Sequence, residues 1–346
     1  MIAILLAAMV AMVLSLAGTP AVIRYFRRHG FGQPIREEGP ESHQTKAGTP
    51  TMGGAAIVGA AVVAYLVAHI GSLEFTWRGA LVMGTFVGMA LVGFADDYIK
   101  LRAQRNLGLS KTAKFVGQAV IAVLFAHLGP TYAGIPANFS IVGEIQIGLP
   151  TAVFFVWVFV LLAGASNAVN LTDGLDGLAA GSGTLVFGAY TLIAFWQFRN
   201  PAAYDFLTAG DALDLAVITA AVMAACAGFL WHNAPPAKIF MGDTGSLALG
   251  GLLAAVAVAT NTQLLLVLLG GLYVVETLSV IIQVFVFRVF GNRVFRMTPI
   301  HHHFELVGWQ ETTIIVRFWI VAGIGIAAGL AIFYAESVTR VVLQRG

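Results

Sequence analysis

The sequence predicts an all-α membrane protein with about ten transmembrane helices. Hydrophobic residues make up 58% of the 346 positions, and the mean hydropathy is +0.85. Charged residues make up 10%, against about 25% in an ordinary soluble domain. So few charges cannot cover a water-exposed surface, and the composition also excludes a disordered chain, a coiled coil and a secreted disulfide scaffold. The single cysteine, Cys226, has no partner for an intrachain disulfide.

Ten apolar segments approach the roughly 20 residues that a helix needs to cross a bilayer. In chain order they are residues 1–23, 53–71, 79–95, 112–129, 151–169, 177–197, 213–231, 245–260, 263–287 and 314–335. No Lys or Arg precedes the first segment, so we expect a retained helix rather than a cleaved signal peptide. The ninth segment is long enough to be bent or broken. Between the fourth and fifth, residues 130–150 have the alternation of a small hairpin.

The basic residues indicate the orientation in the membrane. If the amino terminus is outside, 15 of the 19 Lys and Arg residues fall in cytoplasmic segments, and Arg78, Arg199, Arg340 and Arg345 fall outside. This asymmetry follows the positive-inside rule and predicts that both termini are exterior. Other ionisable residues follow the same division, since the cytoplasmic side also holds Asp96, Asp97, Asp173, Asp176, Asp243, Glu305 and the histidines at 301–303. We expect one membrane domain over residues 1–346, with its chemistry at the cytoplasmic face.

Two adjacent carboxylates close the third predicted span, in the run 94–100. Asp96 and Asp97 at a membrane boundary repel each other and lose hydration. Lys100, one helical turn from Asp96, compensates part of this charge, and a divalent cation would compensate more. The alternative is a solvated helix end.

A second polar motif follows the fifth predicted span. Asn167, Asn170 and Asp173 recur every three residues and share one helical face, and Asp176 follows three residues later among glycines. The glycines permit a close backbone approach to a ligand. The run 170–177 lacks the spacing and the distal Glu of an EF-hand, which excludes that type of calcium site. An ordinary turn between two spans is the alternative.

The loop 231–246 has the richest chemistry. Asp243 and Thr244 lie between two glycines at the start of the eighth span. A helix amino terminus attracts anions such as phosphate. A carboxylate at that position is itself an anion, and it is more naturally a ligand of a metal ion than of a phosphate. Phe240 is suited to stack on a planar base. Helix capping by Asp243 is the alternative.

Two polar features lie in the last third of the chain. Glu276, Ser279 and Gln283 form one stripe on the apolar ninth span, where they serve either a site or contacts between helices. The run 299–305 contains three consecutive histidines. Because a zinc site would need further ligands at fixed spacing, imidazoles beside phosphates are the better interpretation, with a solvated loop as the alternative.

Basic residues surround the same predicted face. They are Arg24, Arg27, Arg28, Lys46, Lys100, Lys111 and Lys114. They suit either anionic lipid headgroups or an anionic substrate. The glycine-rich loop 46–54 lacks the P-loop pattern, which excludes a Walker-type ATP site. Carboxylates, a divalent cation and lysines are the components of phosphoryl transfer, and the apolar body of the protein suggests a lipid as the second substrate.

These motifs together resemble the phospho-N-acetylmuramoyl-pentapeptide transferase family of the polyprenyl-phosphate N-acetylhexosamine-1-phosphate transferases. The resemblance covers nearly the whole chain in the family's order. It rests on Lys46 with 49–54, the run 96–100, residues 167–177, residues 233–246, and 299–305 continuing to Gly308 and Trp309. One departure is Gln104, where some relatives have a further lysine.

The resemblance implies a reaction and its participants. Undecaprenyl phosphate attacks UDP-N-acetylmuramoyl-pentapeptide in a bacterial plasma membrane, and UMP is released with magnesium as cofactor. The other product, undecaprenyl-diphospho-muramoyl-pentapeptide, is the first lipid intermediate of peptidoglycan synthesis. A homodimer is expected, and nucleic acid is not. One-step displacement and a route through a phospho-aspartate both fit the sequence.

The resemblance also implies roles for individual residues. Asp243 would hold the magnesium, Asp96 would lie nearest the lipid phosphate, and Asp97 would support metal or phosphate. Phosphate would pass Lys46, Thr51, Lys100 and Lys111. The uridine pocket and its rim would comprise Asn170, Asp173, Leu175, Asp176, Asn233 and Phe240. The sugar and diphosphate would face the catalytic His302 and His303, together with Gln283.

Two other functions remain open from the sequence. The first is transfer of N-acetylglucosamine-1-phosphate within the same superfamily, against which the histidine run argues. The second is a secondary transporter or flippase, which would place polar residues near mid-bilayer and often show a two-fold repeat. Here the charges gather at one predicted face, and no internal repeat is evident in the sequence.

Overall fold

The fold is a bundle of long helices, as the sequence predicts. The computed structural model describes residues 1–28, 48–70, 73–103, 107–142 and 146–345. The helices are α1 (Ile2–Arg28), α2 (Gly54–Ala68), α3 (Trp77–Arg102), α4 (Lys111–Tyr132), α5 (Thr151–Thr172), α6 (Leu178–Arg199), α7 (Ala209–Asn233), α8 (Gly242–Ala259), α9 (Leu266–Leu269), α10 (Gly271–Phe290), α11 (Ile300–Val307) and α12 (Glu311–Arg345). A 3-10 turn, Pro201–Ala203, joins α6 to α7.

Nine helices in the described part of the chain are long and apolar enough to span a membrane. The remaining predicted span, 53–71, which is the second in chain order, is the shorter helix α2 of 15 residues. At 1.5 Å per residue it is roughly 22 Å long, against a hydrocarbon thickness of about 30 Å. The all-α polytopic prediction is therefore confirmed.

Two local expectations are also confirmed. The strands β1 (Asn138–Ser140) and β2 (Gln146–Gly148) pair antiparallel in the segment where a hairpin was expected. The ninth predicted span is broken at Gly270, which separates the single turn of α9 from α10. The histidine run differs from the loop alternative, because it lies on the short helix α11 between Pro299 and Gly308.

Helix α8 is the centre of the bundle, and nearly all of its residues are buried. It packs against α3 and α5, while α7 packs against α1, α2 and α6. Glycine permits the closest approach. A Cβ at Gly93 of α3 would lie 2.1 Å from the carbonyl oxygen of Asp243, and a Cβ at Gly54 of α2 would lie 2.1 Å from the backbone nitrogen of Gly245. Small residues at these crossings hold the first turn of α8 against both neighbours.

Replacing Gly93 by alanine is expected to destabilise the protein by about 1 to 3 kcal/mol, because the new methyl group must push the backbone of α8 away. Thermal unfolding in detergent would measure the effect. Gly84→Ala on the same helix is the matched control, since a Cβ there meets open space in the described part of the chain. Equal melting temperatures for the two variants would contradict the close contact.

At the other end of α3, the guanidinium of Arg78 is buried and joins three segments of backbone. It donates hydrogen bonds to the carbonyl oxygens of Ala133 (3.0 Å), Gly134 (2.7 Å), Phe206 (2.7 Å) and Ala259 (3.2 Å). These carbonyls follow α4, precede α7 and end α8. An arginine predicted to lie in an exterior loop is therefore a structural centre of that end of the bundle.

Candidate active site

Three buried carboxylates meet where α3 ends and α8 begins. One oxygen from each of Asp96, Asp97 and Asp243 lies within 4.8 Å of the others. We call these three residues the acidic cluster. The pair on α3 and the residue on α8 are separated by almost 150 positions in the chain, and the close helix crossing at Gly93 brings them together.

Asp97 holds the amino terminus of α8. Its carboxylate accepts hydrogen bonds from the backbone N–H of Asp243 (3.1 Å), the backbone N–H of Thr244 (2.9 Å) and the Thr244 hydroxyl (2.7 Å). It therefore caps a helix from outside that helix, using donors that would otherwise lack partners. Gly242, with φ +73°, makes the turn into α8, and a Cβ there would lie 2.7 Å from Asp97 Oδ2. The structure thus gives Asp97 a positioning role.

Two lysine ammonium groups contact the acidic cluster. Lys100 Nζ lies 2.5 Å from Asp96 Oδ2, 3.1 Å from Asp243 Oδ2 and 3.8 Å from Asp97 Oδ1. Lys114 Nζ lies 2.5 Å from Asp243 Oδ2 and 3.4 Å from Asp96 Oδ1. Lys111, the lysine named from the sequence, is exposed at the first residue of α4, one turn before Lys114.

Asn170 joins α5 to the same site. Its Nδ2 donates to Asp243 Oδ1 at 2.7 Å and to the hydroxyl of Ser246 at 2.8 Å. Since Asp243 Oδ2 faces the lysines, both oxygens of this carboxylate have partners. Asn170 thereby fixes the rotation of the Asp243 side chain.

Asp173 follows α5 and approaches the acidic cluster from a third side. Burial raises the pKa of its carboxyl well above its usual range, and the negative charges of Asp243 and Asp97 raise the pKa further. A hydrogen bond from the backbone N–H of Gly242 acts in the opposite direction. Asp173 therefore keeps its proton to a higher pH than an exposed aspartate does.

The other residues of the predicted uridine pocket join two loops. Asn233 accepts from the backbone N–H of Gly177 at 3.1 Å and donates to the carbonyl of Ile239 at 2.9 Å. Asp176 accepts from the backbone N–H of Ala237 at 2.9 Å, and Leu175 is buried beside it in the chain. The turn 173–177 and the loop 233–240 therefore form one unit beside α8.

The loop before α2 borders this unit. The backbone N–H of Phe240 donates to the carbonyl of Pro50 at 2.8 Å, and the Phe240 carbonyl accepts from Gly53 at 2.8 Å. Thr51 is buried, and its hydroxyl lies 2.9 Å from where a Cβ of Gly242 would be. Thr51 and Phe240 are thus placed at the predicted site, while Lys46 lies outside the described residues.

His301, which was not among the predicted site residues, is the histidine of the run that contacts the turn 173–177. It is buried, and its Nδ1 lies 3.0 Å from Glu276 Oε1 on α10. A Cβ at Gly174 would lie 2.3 Å from His301 Nε2, so the ring packs directly on this turn.

The structure pairs His302, His303 and Gln283 with other groups. His302 Nδ1 lies 2.6 Å from Glu305 Oε2, and His303 Nδ1 accepts from the backbone N–H of Arg296 at 3.1 Å. Gln283 accepts from the N–H groups of Val294 and Phe295 and donates to the carbonyl of Phe295. These contacts order the segment between α10 and α11.

The acidic cluster has the donor set of a divalent-cation site. Its ligand atoms are all carboxylate oxygens, which hard cations such as Mg²⁺ prefer. Two ammonium groups already lie against these oxygens, so the cluster requires positive charge at this position. Such an arrangement can hold a metal ion together with the phosphate groups of a substrate.

The comparisons with known proteins point to one family. The model of glycosyl transferase family 4 matches residues 79–261, a range that includes the whole acidic cluster. A phospho-N-acetylmuramoyl-pentapeptide-transferase of Frankia casuarinae is 55% identical over 96% of this chain and 97% of its own length. The proteins of that name from Saccharopolyspora erythraea and Mycobacterium leprae are 53% and 51% identical, with the same coverage.

The chain belongs to the phospho-N-acetylmuramoyl-pentapeptide transferase family. Membership confirms the resemblance seen in the sequence and makes the protein a transferase. It also agrees with a multi-pass protein of a bacterial membrane, given the nine long apolar helices in the described part of the chain. The transporter alternative therefore has no support from the comparisons.

Three residues that contact this candidate site were not predicted from the sequence. Lys114 was named only as one of several basic residues, yet its ammonium group contacts Asp243. Lys111, the lysine that was predicted, is exposed. Ser246 follows Asp243 by one helical turn and accepts from Asn170. For His301 the available signal was Glu276, because a buried carboxylate on an apolar helix requires a polar partner.

Proposed function

We propose that the protein transfers phospho-N-acetylmuramoyl-pentapeptide from its UDP-linked form to undecaprenyl phosphate and releases UMP, with Mg²⁺ as cofactor. The observation that carries this proposal is the buried acidic cluster with two ammonium groups, within a chain of this family. Its carboxylates bind a cation, and its lysines bind an anion. A diphosphate with its metal ion needs both.

Asp243 is the proposed magnesium ligand, held in place by Asn170 and by the capping of α8. When bound, Mg²⁺ would neutralise charge that develops on the diphosphate. Asp97 keeps the first turn of α8 in position. Asp96 orients or deprotonates the lipid phosphate, while Lys100 guides the phosphates, with Lys46, Thr51 and Lys111 along their path.

The turn 173–177 and the loop 233–240 form the proposed uridine pocket. Its members are Asn170, Asp173, Leu175, Asp176, Asn233 and Phe240. The half-buried ring of Phe240 is suited to stack on the base. Gln283 on α10 and His302 and His303 on α11 would face the sugar and diphosphate. Hydrogen bonds of Gln283 and His303 order the segment between these two helices.

We also propose the orientation given by the basic residues, with both termini exterior and the acidic cluster at the cytoplasmic face. The chain would act as one membrane domain and, by family resemblance, as a homodimer. The cytoplasmic placement is consistent with a water-soluble UDP-linked substrate and a lipid acceptor that meet at the inner leaflet.

The test is UMP production by the purified full chain with undecaprenyl phosphate and each of two UDP-sugars, with and without Mg²⁺. We expect UMP only with UDP-N-acetylmuramoyl-pentapeptide and Mg²⁺. Equal turnover of UDP-N-acetylglucosamine would favour the other branch of the superfamily. Release of UMP at an unchanged rate in the presence of a chelator would contradict the cofactor.

A further inference from the structure

We propose that Lys114 is an internal counter-cation of the acidic cluster, which leaves Asp243 when a divalent cation binds and then becomes available to the diphosphate of the substrate. This inference rests on the proposed function and deepens it. It makes the metal ion and the anionic substrate depend on each other through one side chain.

The geometry places Lys114 where it competes with a metal ion. Its Nζ lies 2.5 Å from Asp243 Oδ2, on the oxygen opposite to the one that Asn170 contacts. The same ammonium lies 3.4 Å from Asp96 Oδ1. A cation that binds these oxygens must share their lone pairs with Lys114 or displace it.

Charge favours displacement over sharing. Three carboxylates with two ammonium groups leave one formal negative charge uncompensated, whereas exchanging one ammonium for a divalent cation makes the cluster neutral. An ammonium group and a divalent cation in contact with one oxygen atom repel each other strongly in a partly buried site. Binding of the metal to Asp243 therefore weakens the hold on Lys114.

Lys114, rather than Lys100, is placed to move. Lys100 is on the same helix as Asp96 and Asp97 and contacts all three carboxylates. Lys114 lies in the first turn of α4, after the Ser110 cap, where the helix dipole disfavours a cation. Its long flexible side chain can reach a different anion without movement of the helix.

The consequence is coupling between two ligands. A metal ion frees an ammonium group, and a diphosphate gives that group a new partner, so each ligand should strengthen the binding of the other. Without Lys114 the metal would bind more tightly by itself, and the substrate would add less to its affinity.

The experiment measures binding of Mn²⁺ to the full chain in detergent by electron paramagnetic resonance, with and without UDP. We expect Lys114→Met to bind Mn²⁺ about tenfold more tightly than the unmodified protein, and UDP to enhance that affinity less. Arg102→Met is the matched control, because Arg102 is a nearby exposed cation that contacts Tyr98. Its Mn²⁺ affinity should not change.

A second measurement needs no variant. Amine-reactive labelling of the unmodified protein, read by mass spectrometry, should be faster at Lys114 when Mn²⁺ is present and slower when UDP is added. Labelling at Lys114 that does not respond to Mn²⁺ would overturn the inference, as would unchanged or weaker Mn²⁺ binding in Lys114→Met. If Lys114→Met tightens Mn²⁺ binding but no UDP-sugar yields UMP, the proposed function fails while the inference stands.

Discussion

Asp243→Asn should abolish UMP release from the UDP-linked substrate, with a loss of about 10³-fold or more. The amide preserves the shape of the side chain but removes the negative charge that faces Lys100 and Lys114. It also removes the proposed metal ligand, so the substitution acts on the metal and on the alignment of both lysines. Turnover in liposomes with saturating substrate and Mg²⁺ is the measurement.

The matched control for this variant is Asp205→Asn. Asp205 is an exposed aspartate in the segment between α6 and α7. Its turnover should equal that of the unmodified protein. Added Mg²⁺ should not restore Asp243→Asn, because a lost ligand charge lowers affinity and also misplaces the bound ion. Normal turnover in Asp243→Asn would refute the metal assignment.

Asp96→Asn is expected to be inactive for a different reason. The carboxylate of Asp96 is buried, and its Oδ1 accepts from the backbone N–H of Leu109 at 2.9 Å, ahead of α4. Its Oδ2 lies against Lys100. Neutralising it removes the group that would orient or deprotonate the lipid phosphate, so we expect kcat to fall by about 10²- to 10⁴-fold, as for loss of a general base.

A measurement of UDP-sugar binding distinguishes a catalytic role of Asp96 from a general structural defect of the variant. UDP-sugar binding by Asp96→Asn should remain measurable by calorimetry while turnover is lost. Glu74→Gln replaces an exposed acid just before the opposite end of α3 and should keep both binding and turnover. A normal rate in Asp96→Asn would mean that Asp96 is neither the base nor an essential positioning residue.

The architecture was predictable because the bilayer imposes a length and a polarity on every span. Helices α3 to α8 lie close to their predicted ranges. The shortness of α2 was not predictable, since the apolar run extends to 71 and the chain leaves the helix at His69. A bend or break in the ninth span was expected from its length, but its position at Gly270 was not.

The site was predictable where one motif carries the chemistry and less so where two helices must meet. Asp96 and Asp97 are adjacent in the chain, so their shared position needs no tertiary information. Choosing Lys114 over Lys111 requires knowing which face of α4 turns toward α8, and flanking residues on a lipid-exposed helix do not specify it. The position of the His301 ring similarly depends on a tertiary contact, because the ring packs where a side chain of residue 174 would be if this residue were not glycine.

The fixation of α3 at both ends has a mechanical consequence. Arg78 joins one end of this helix to the segments around α4, α7 and α8, and the capping of α8 by Asp97 joins the other. A sliding or rotating α3 would break both sets of hydrogen bonds at once. The central helices should therefore behave as a rigid frame during turnover.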